Sequence, residues 1–327
     1  MTQYLDFEKP IKLIEEQIDQ LSANAESAGA AAMSVQLTRL KQNAERLLVE
    51  IYSKLDPWQK TQVARHQERP HFKDYVAALV TEFVELSGDR KYAEDAAVVG
   101  GLGRFLGRPC VIMGHEKGRT TAERLKHNFG MSRPEGYRKA IRLMDMADRF
   151  GLPVVSLVDT AGAYPGLGAE ERGGAEAIAR STERCLSLGV PMVSVIVGEG
   201  GSGGAIAIAA ANTVLMLEHA VYSVISPESG ASILFRDAGR AKDVALAMKI
   251  TADSCLDFKV IDGIIKEPIG GAHRAPEQAI AGVGAAVAKA LDDLDGLDGL
   301  DGDALRRQRR KRFMAIGRIA ETGAPVR

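Results

Sequence analysis

Cysteine is almost missing from this sequence: three residues in 327, at Cys110, Cys185 and Cys255. They are odd in number, far apart and never paired as C-x-x-C, which argues against a disulfide framework or a zinc ribbon. Aromatic residues are scarce at 5%, too few for an aromatic-rich binding surface. Charge of one sign is not in excess either. The formal net charge is -1, so no global field draws the chain to nucleic acid or to a membrane surface. The longest apolar run, near Ala205–Ala211, falls far short of the roughly 20 residues that a membrane span needs. The opening MTQYLDFEKP lacks the basic and apolar regions of a secretory signal. A soluble, cytoplasmic protein is the expectation.

Glycine, by contrast, is abundant: 34 residues, within a chain that is 46% hydrophobic and 26% charged. Such a composition suits a globular fold with many turns and close backbone approaches. The length accommodates one large α/β domain with an accessory segment.

Three regions follow from the patterning. Residues 1–68 are expected to be helical, because Ile11, Ile14, Ile18 and Leu21, then Leu37, Leu40, Ala44, Leu47, Leu48, Ile51 and Leu55, recur at three- and four-residue spacing. The small-residue stretch Ser22–Ser34, with Gly29, breaks the two stripes, and Asp56-Pro57 closes them. Residues 69–291 read as α/β. Tyr75–Leu86 reads as a helix, Ala97–Phe105 and Pro109–His115 as strands, and Pro134–Phe150 as a strongly amphipathic helix. The apolar runs Pro153–Asp159 and Pro191–Val197 read as buried strands, with a helix over Gly173–Leu188 between them. Each delivers a glycine-rich loop at its carboxyl end, where ligands of α/β folds gather. Beyond them, Asn212–Leu217 and Ala220–Ile225 read as strands, Asp243–Asp253 as a helix, Leu256–Pro268 as a last strand and turn, and Ala275–Leu291 as a helix. Residues 292–327 hold an acidic L-D-G repeat over Asp292–Asp303, read as a connector, and the basic run Arg306–Arg312, read as the solvated face of a terminal helix.

The segment from Gly198 to Gly204 carries most of the chemistry and has three readings. Gly198, Gly200 and Gly203 spell G-x-G-x-x-G, with Glu218 twenty residues on, as in a dinucleotide fingerprint. The following helix is short and apolar all round, which suits burial better than a crossover on a sheet. Gly200, Ser202 and Gly204 also spell G-x-S-x-G, a nucleophile elbow. Asp237 and His273 lie downstream, an order that arises easily by chance. The third reading uses only backbone: the N–H groups of Gly203 and Gly204 at a helix N-terminus form an oxyanion hole. The second loop, Asp159 to Gly166, fits that reading, since Gly162, Ala163 and Gly166 again expose backbone. Tyr164 there either lies against a planar ligand or, with Pro165, stiffens the turn.

At these loops the sequence resembles a known family. LDFEKPI (5–11), ARHQERP (64–70), NFGMSRPEGYRKA (128–140), VDTAGAYPGLGAEERG (158–173), GEGGSGGA (198–205), YSVISPES (222–229) and EPIGGAHR (267–274), in this order along the chain, look like the alpha subunits of bacterial acetyl-CoA carboxylase carboxyltransferases. The resemblance implies a crotonase-like α/β fold of repeated ββα units behind an N-terminal helical extension. It implies transfer of a carboxyl group from carboxybiotin to acetyl-CoA, giving malonyl-CoA for fatty acid synthesis. It also implies an α2β2 assembly with a zinc-bearing beta subunit, served by a biotin carboxylase and a biotin carboxyl carrier protein. No cofactor or metal is then expected on this chain itself. Gly203 and Gly204 are the implied donors to the biotin ureido oxygen. Gly200, Gly201, Ser202 and Ala205, with Gly162, Ala163, Tyr164 and Gly166, are the implied carboxybiotin loops.

One departure stands in the second loop, where Ala161 occupies the family's usual proline position. Two rivals remain: a stand-alone crotonase-type hydratase or isomerase, which needs a placed acid/base carboxylate, and a non-catalytic scaffold subunit. Lys117, Arg119, Arg124 and Lys126 form a basic group after a strand, for CoA phosphates or simply for solvent. Glu199 is expected to face solvent.

Overall fold

The computed structural model describes residues 3–25, 30–295 and 301–317. Helices α1 (Lys9–Ala25) and α2 (Ala30–Tyr52) pack against each other as an arm. The break expected around Gly29 lies outside the described residues. Asp56 accepts from the Gln59 N–H and Pro57 takes the first turn, so α3 (Pro57–Ala64) starts there.

The expected helix over Tyr75–Leu86 is wrong in its second half. Helix α4 (Phe72–Leu79) stops, and β1 (Val80–Glu85) begins at once. The β-branched Val80, Thr81 and Val84 pair antiparallel with β2 (Val98–Phe105) across a bulge. That edge satisfies backbone groups which a helix prediction assigns to itself.

Strand β2 turns tightly into β3 (Arg108–His115). After α5 (Thr121–Lys126) and α6 (Pro134–Phe150), with Gly151 left-handed at its end, the chain enters β4 (Val154–Thr160). Short α7 (Leu167–Glu171) and α8 (Gly174–Ser187) lead to β5 (Met192–Gly201), and α9 (Ser202–Ala209) follows without a linker. Both β4 and β5 are buried at every residue. This is what two unbroken apolar runs predict for central parallel strands.

Strands β6 (Thr213–Leu217) and β7 (Val221–Ser223) come next, then α10 (Pro227–Phe235), α11 (Ala241–Met248) and α12 (Ala252–Asp257). The single helix expected over Asp243–Asp253 is thus two. Lys249 is left-handed (φ 55°), and the Ile250 carbonyl turns to accept from the Tyr222 N–H at 2.9 Å. Of the strand expected within Leu256–Pro268 only β8 (Gly263–Ile265) forms, and α13 (Pro276–Asp295) follows. Among the described residues the eight strands make one sheet, ordered β1-β2-β3-β4-β5-β6-β8, with β7 paired to the end of β5. From β3 to β8 the neighbours run parallel. Helices α6, α8 and α9 cover the sheet as one group, and α4 and α13 as another.

The end of the L-D-G repeat belongs to structure: Asp301 caps α14 (Gly302–Ala315), accepting from the Ala304 N–H. Residues 296–300 of the repeat, and the tail beyond 317, lie outside the described residues. The basic run within α14 is not a solvated face throughout. Arg309 is fully buried and donates to the carbonyls of Cys185 (2.7 Å), Leu188 (2.9 Å) and Val190 (3.0 Å). Burial holds its pKa down, to about 10. A guanidinium with five donors is suited to gather several carbonyls at the end of one helix, α8.

Candidate active site

The two glycine loops meet at the carboxyl ends of β4 and β5. Gly200 and Gly201 are still strand, while Ser202, Gly203, Gly204 and Ala205 form the first turn of α9. The strand was expected to end at Val197; it continues because β7 pairs with Glu199, Gly200 and Gly201. The missing side chains make the contact between loops possible. A Cβ on Gly201 would stand 2.2 Å from the Ala161 carbonyl oxygen, and one on Gly204 would stand 2.7 Å from the Gly162 carbonyl carbon. A Cβ on Gly203 would meet only the Ile178 side chain, at 3.2 Å. Gly162 and Ala163 therefore lie against the first turn of α9.

Tyr164 and Gly166 take another part. The Tyr164 ring folds over Gly166, where a Cβ would come within 2.2 Å of the phenol. The Arg133 guanidinium carbon lies 5.1 Å from the Tyr164 ring centroid. The Tyr164 N–H donates to the Ser132 carbonyl at 3.0 Å, which ties this loop to the start of α6.

The first N–H groups of α9 have no intrahelical partner and no side-chain cap. Helix and dipole together make this turn a place for negative charge. Ser202 reaches it in a left-handed conformation, φ 50°, uncommon for a residue with a side chain. Beside Ser202 and Gly203 opens a groove of about 510 Å³. Ile206, Val224, Met248 and Phe258 make it mainly apolar, and Val224 is 80% exposed at its rim.

Glu199, expected in solvent, and Lys117, left between CoA phosphates and solvent, are both drawn in behind the loops. Lys117 bonds Asp159 Oδ1 at 2.6 Å and approaches Glu199 Oε2 at 3.4 Å, with its side chain only 18% exposed. Glu199 is buried, not solvent-facing, and receives Arg65 Nε at 2.7 Å. Arg65 also pairs with Glu228 on α10. Burial opposes the Lys117 ammonium, but Asp159 and Glu199 hold its pKa above the usual lysine value. A second cavity of about 220 Å³ lies over this cluster, with Arg124, His71 and Phe129 on its wall. His115, at the end of β3, accepts from the Asp159 N–H through Nδ1 at 3.4 Å. Burial lowers its pKa to about 4, against the pull of Asp159, so the ring stays neutral at pH 7. The sequence reading missed this cluster, because nothing in the sequence marks which charged side chains will pair and be buried.

A sheet of this order, with a backbone-only turn at its centre and a short buried helix after it, is the crotonase-like α/β architecture of the carboxyltransferases. Transcarboxylase 12S, solved with methylmalonyl-coenzyme A bound, superposes with a TM-score of 0.56 at 20% identity, over 68% of this chain and 41% of that one. The beta subunit of P. aeruginosa geranyl-CoA carboxylase gives 0.55 at 15% identity, over 77% and 46%. Sequence places the chain more narrowly. The model of the acetyl co-enzyme A carboxylase carboxyltransferase-like family matches residues 4–317, and the chain belongs to that family. It is 62% identical over 315 residues to the acetyl-coenzyme A carboxylase carboxyl transferase subunit alpha of Caulobacter vibrioides, covering 96% of this chain and 98% of that protein. The subunit of the same name from Methylobacterium nodulans is 63% identical over 318 residues, with 97% and 99% covered.

Proposed function

We propose that this chain is the alpha-type half of a biotin-dependent carboxyltransferase, which moves a carboxyl group from carboxybiotin to acetyl-CoA. The observation that carries it is the first turn of α9, whose uncapped N–H groups lie against a second glycine loop with no side chain between. The groove beside that turn fits a small bicyclic ring in size and in its apolar lining. When bound there, carboxybiotin supplies an activated carboxyl group whose departure leaves negative charge on the ureido oxygen.

The N–H groups of Gly203 and Gly204 are the donors to that oxygen. They are fixed before the reaction, so they favour the charged state over the neutral one without reorganising. Loss of one such donor typically costs on the order of 10²–10³ in rate. Ile206, Val224, Met248 and Phe258 line the groove, and a partner covering them would exclude water and strengthen the same interaction. No nucleophile on this chain is required. Ser202 Oγ is not needed for attack, and Glu199 is tied to Arg65 and Lys117 rather than free as the acid/base of a hydratase.

The acyl-CoA is held by a partner. The exposed apolar rim at Ile206 and Val224 is the kind of surface that a subunit covers. The partner is a zinc-bearing beta chain in an α2β2 assembly, with carboxybiotin delivered on a carrier protein charged by a biotin carboxylase.

The test is carboxyl transfer between malonyl-CoA and a soluble biotin analogue. It is run with the chain alone, with the beta subunit, and with the beta subunit plus Gly203→Val. This substitution adds bulk within the donor turn, its Cβ meeting the Ile178 side chain, whereas one at Gly204 collides with the Gly162–Ala163 backbone. Transfer by the pair alone, falling at least about a hundredfold in the assembled variant, supports the reading. Transfer by the isolated chain points instead to a single-chain crotonase-type enzyme. Full activity in the variant reduces this chain to a scaffold.

A further inference from the structure

We propose that Lys117 is a positioning residue for the glycine turn: through Asp159 it sets the bulge in β5 that aims the Gly203 and Gly204 N–H groups. The kinetic part of this inference rests on the carboxyl-transfer reading above; its structural part does not.

The register between β4 and β5 slips at one place. Val158 faces Ile196 and Thr160 faces Gly200, so β4 advances two residues while β5 advances four. The surplus, Val197 to Glu199, bulges immediately before the turn. Bulges re-aim the residues beyond them and need something to hold the backbone groups they free. Here the holder is a side chain: Asp159 Oδ1 accepts the Glu199 N–H at 2.9 Å. Gly198 makes room for it, since a Cβ there would lie 2.4 Å from the same oxygen.

Two carboxylates, Asp159 and Glu199, thus stand side by side under the turn, and their repulsion would open the bulge. Lys117 bridges them, at 2.6 and 3.4 Å. Arg65 takes the other oxygen of Glu199 at 2.7 Å, and its other partner is Glu228 rather than Asp159. The other ionisable groups around the cluster are already engaged or stand off it. Arg65 is shared with Glu228, His115 receives the Asp159 N–H, Arg69 is committed to Glu267 and the Val197 carbonyl, and Arg124 and His71 sit on the cavity wall. Lys117 is therefore the cation that holds the Asp159 carboxylate in place. It touches neither groove nor first turn, and it acts through the strand.

The test compares wild type, Lys117→Met, Lys117→Arg and Lys117→Ala, each assembled with the beta subunit. Lys117→Met keeps the bulk and removes the charge. Its kcat is expected to fall about ten- to a hundredfold, the range for a misplaced donor, while KM for malonyl-CoA stays within about threefold, because the acyl-CoA is held elsewhere. Lys117→Arg should recover most of kcat. Ethylammonium, entering the cavity over the cluster, should raise the rate of Lys117→Ala severalfold without affecting wild type. A merely structural lysine would give none of that chemical rescue. Alongside, hydrogen exchange of the amides at 198–206 in the assembled Lys117→Met variant should quicken while those of β4 keep their protection. Unchanged kcat and exchange, or a loss that neither arginine nor ethylammonium restores, overturns the proposal. If wild type transfers nothing, the carboxyl-transfer reading falls. The exchange measurement then decides the positioning role: selective quickening at 198–206 upholds it, and unchanged exchange overturns it.

Discussion

The turn between β5 and α9 and the seat of the N-terminal arm are built from opposite materials. The turn is nearly all backbone: Gly200, Gly201, Gly203 and Gly204 against Ala161, Gly162 and Ala163. The seat is nearly all side chain. Glu8 is fully buried and accepts from the Tyr52 hydroxyl at 2.9 Å and from Arg274 Nε at 3.2 Å. His66 and His273 stack at 4.0 Å, and the Tyr52 ring packs edge-on against His219. Arg69 closes the seat with two bonds to Glu267, at 2.8 and 2.9 Å, and one to the Val197 carbonyl at 2.8 Å. A backbone site fails when atoms are added to it. A side-chain seat fails when a charge is removed or a proton added. The same fold should therefore respond quite differently to the two kinds of insult.

Removing a charge from the seat has the largest expected effect. Arg69→Met leaves Glu267 buried and without its main partner, and breaking such a pair typically costs about 3–5 kcal/mol. Glu267 is held at a pKa of about 2; burial opposes this, and Arg69 leads the groups that impose it. Calorimetry on the purified chain should show the loss. The double variant Arg69→Met, Glu267→Gln should recover part of it, because the stranded charge is gone. If the double variant is no more stable than the single one, packing rather than charge holds the seat.

Acid should come next. The His66 tautomer is set by its bonds: Nδ1 accepts the Glu68 N–H at 3.2 Å, and Nε2 donates to the Gln3 carbonyl at 2.8 Å. Burial first, and then the neighbouring His273, lower its pKa. Burial does the same for His219. A histidine with a depressed folded pKa stabilises the fold above its unfolded value, near 6.5, and the stability is lost as pH falls below that. Glu8 is different. Burial raises it, but His273, the Leu5 N–H, Tyr52 and Arg274 bring it to about 2. Its contribution survives until pH drops below about 4.5 and is lost toward 2. Between pH 6.5 and 5.5 the histidines should weaken the seat before Glu8 does. Proteolysis within the arm should then quicken, and His66→Gln should flatten the slope of stability against pH. An unchanged slope would remove His66 from the account.

The contrast also explains what the sequence could announce. Strands β4 and β5, the helix of α6 and the glycine turn are local: unbroken apolar runs, a 3.6 period and consecutive glycines each declare themselves without partners. The family motifs lie on those same segments, so the fold and the place of the glycine turn were legible together. Lys117, Glu199 and Arg309 were not. A charged side chain in a sequence carries no mark of the carbonyl or carboxylate that will bury it, and solvent is the commoner destination. Strand β1 was hidden for a related reason, since Val80–Glu85 becomes strand only because β2 offers it an edge.

The smallest expected effect, and the sharpest on the comparison, concerns the one side chain inside the turn. Ser202 holds φ 50°, which costs a residue with a Cβ on the order of 1 kcal/mol and costs glycine nothing. Ser202→Gly should relieve that strain but return most of the gain as entropy of the unfolded chain. The melting temperature should therefore move by only a degree or two in either direction. Transfer in the assembled pair should fall modestly, about two- to fivefold, because a fifth glycine lets the donors wander from a geometry that catalysis needs fixed. Ser202→Ala should keep the rate near wild type, since the Cβ restrains φ while the hydroxyl is not asked to attack. If Ser202→Ala instead abolishes transfer and Ser202→Gly does no worse, the hydroxyl itself takes part. The turn would then no longer be a backbone site, and the contrast with the seat would lose its sharpest edge.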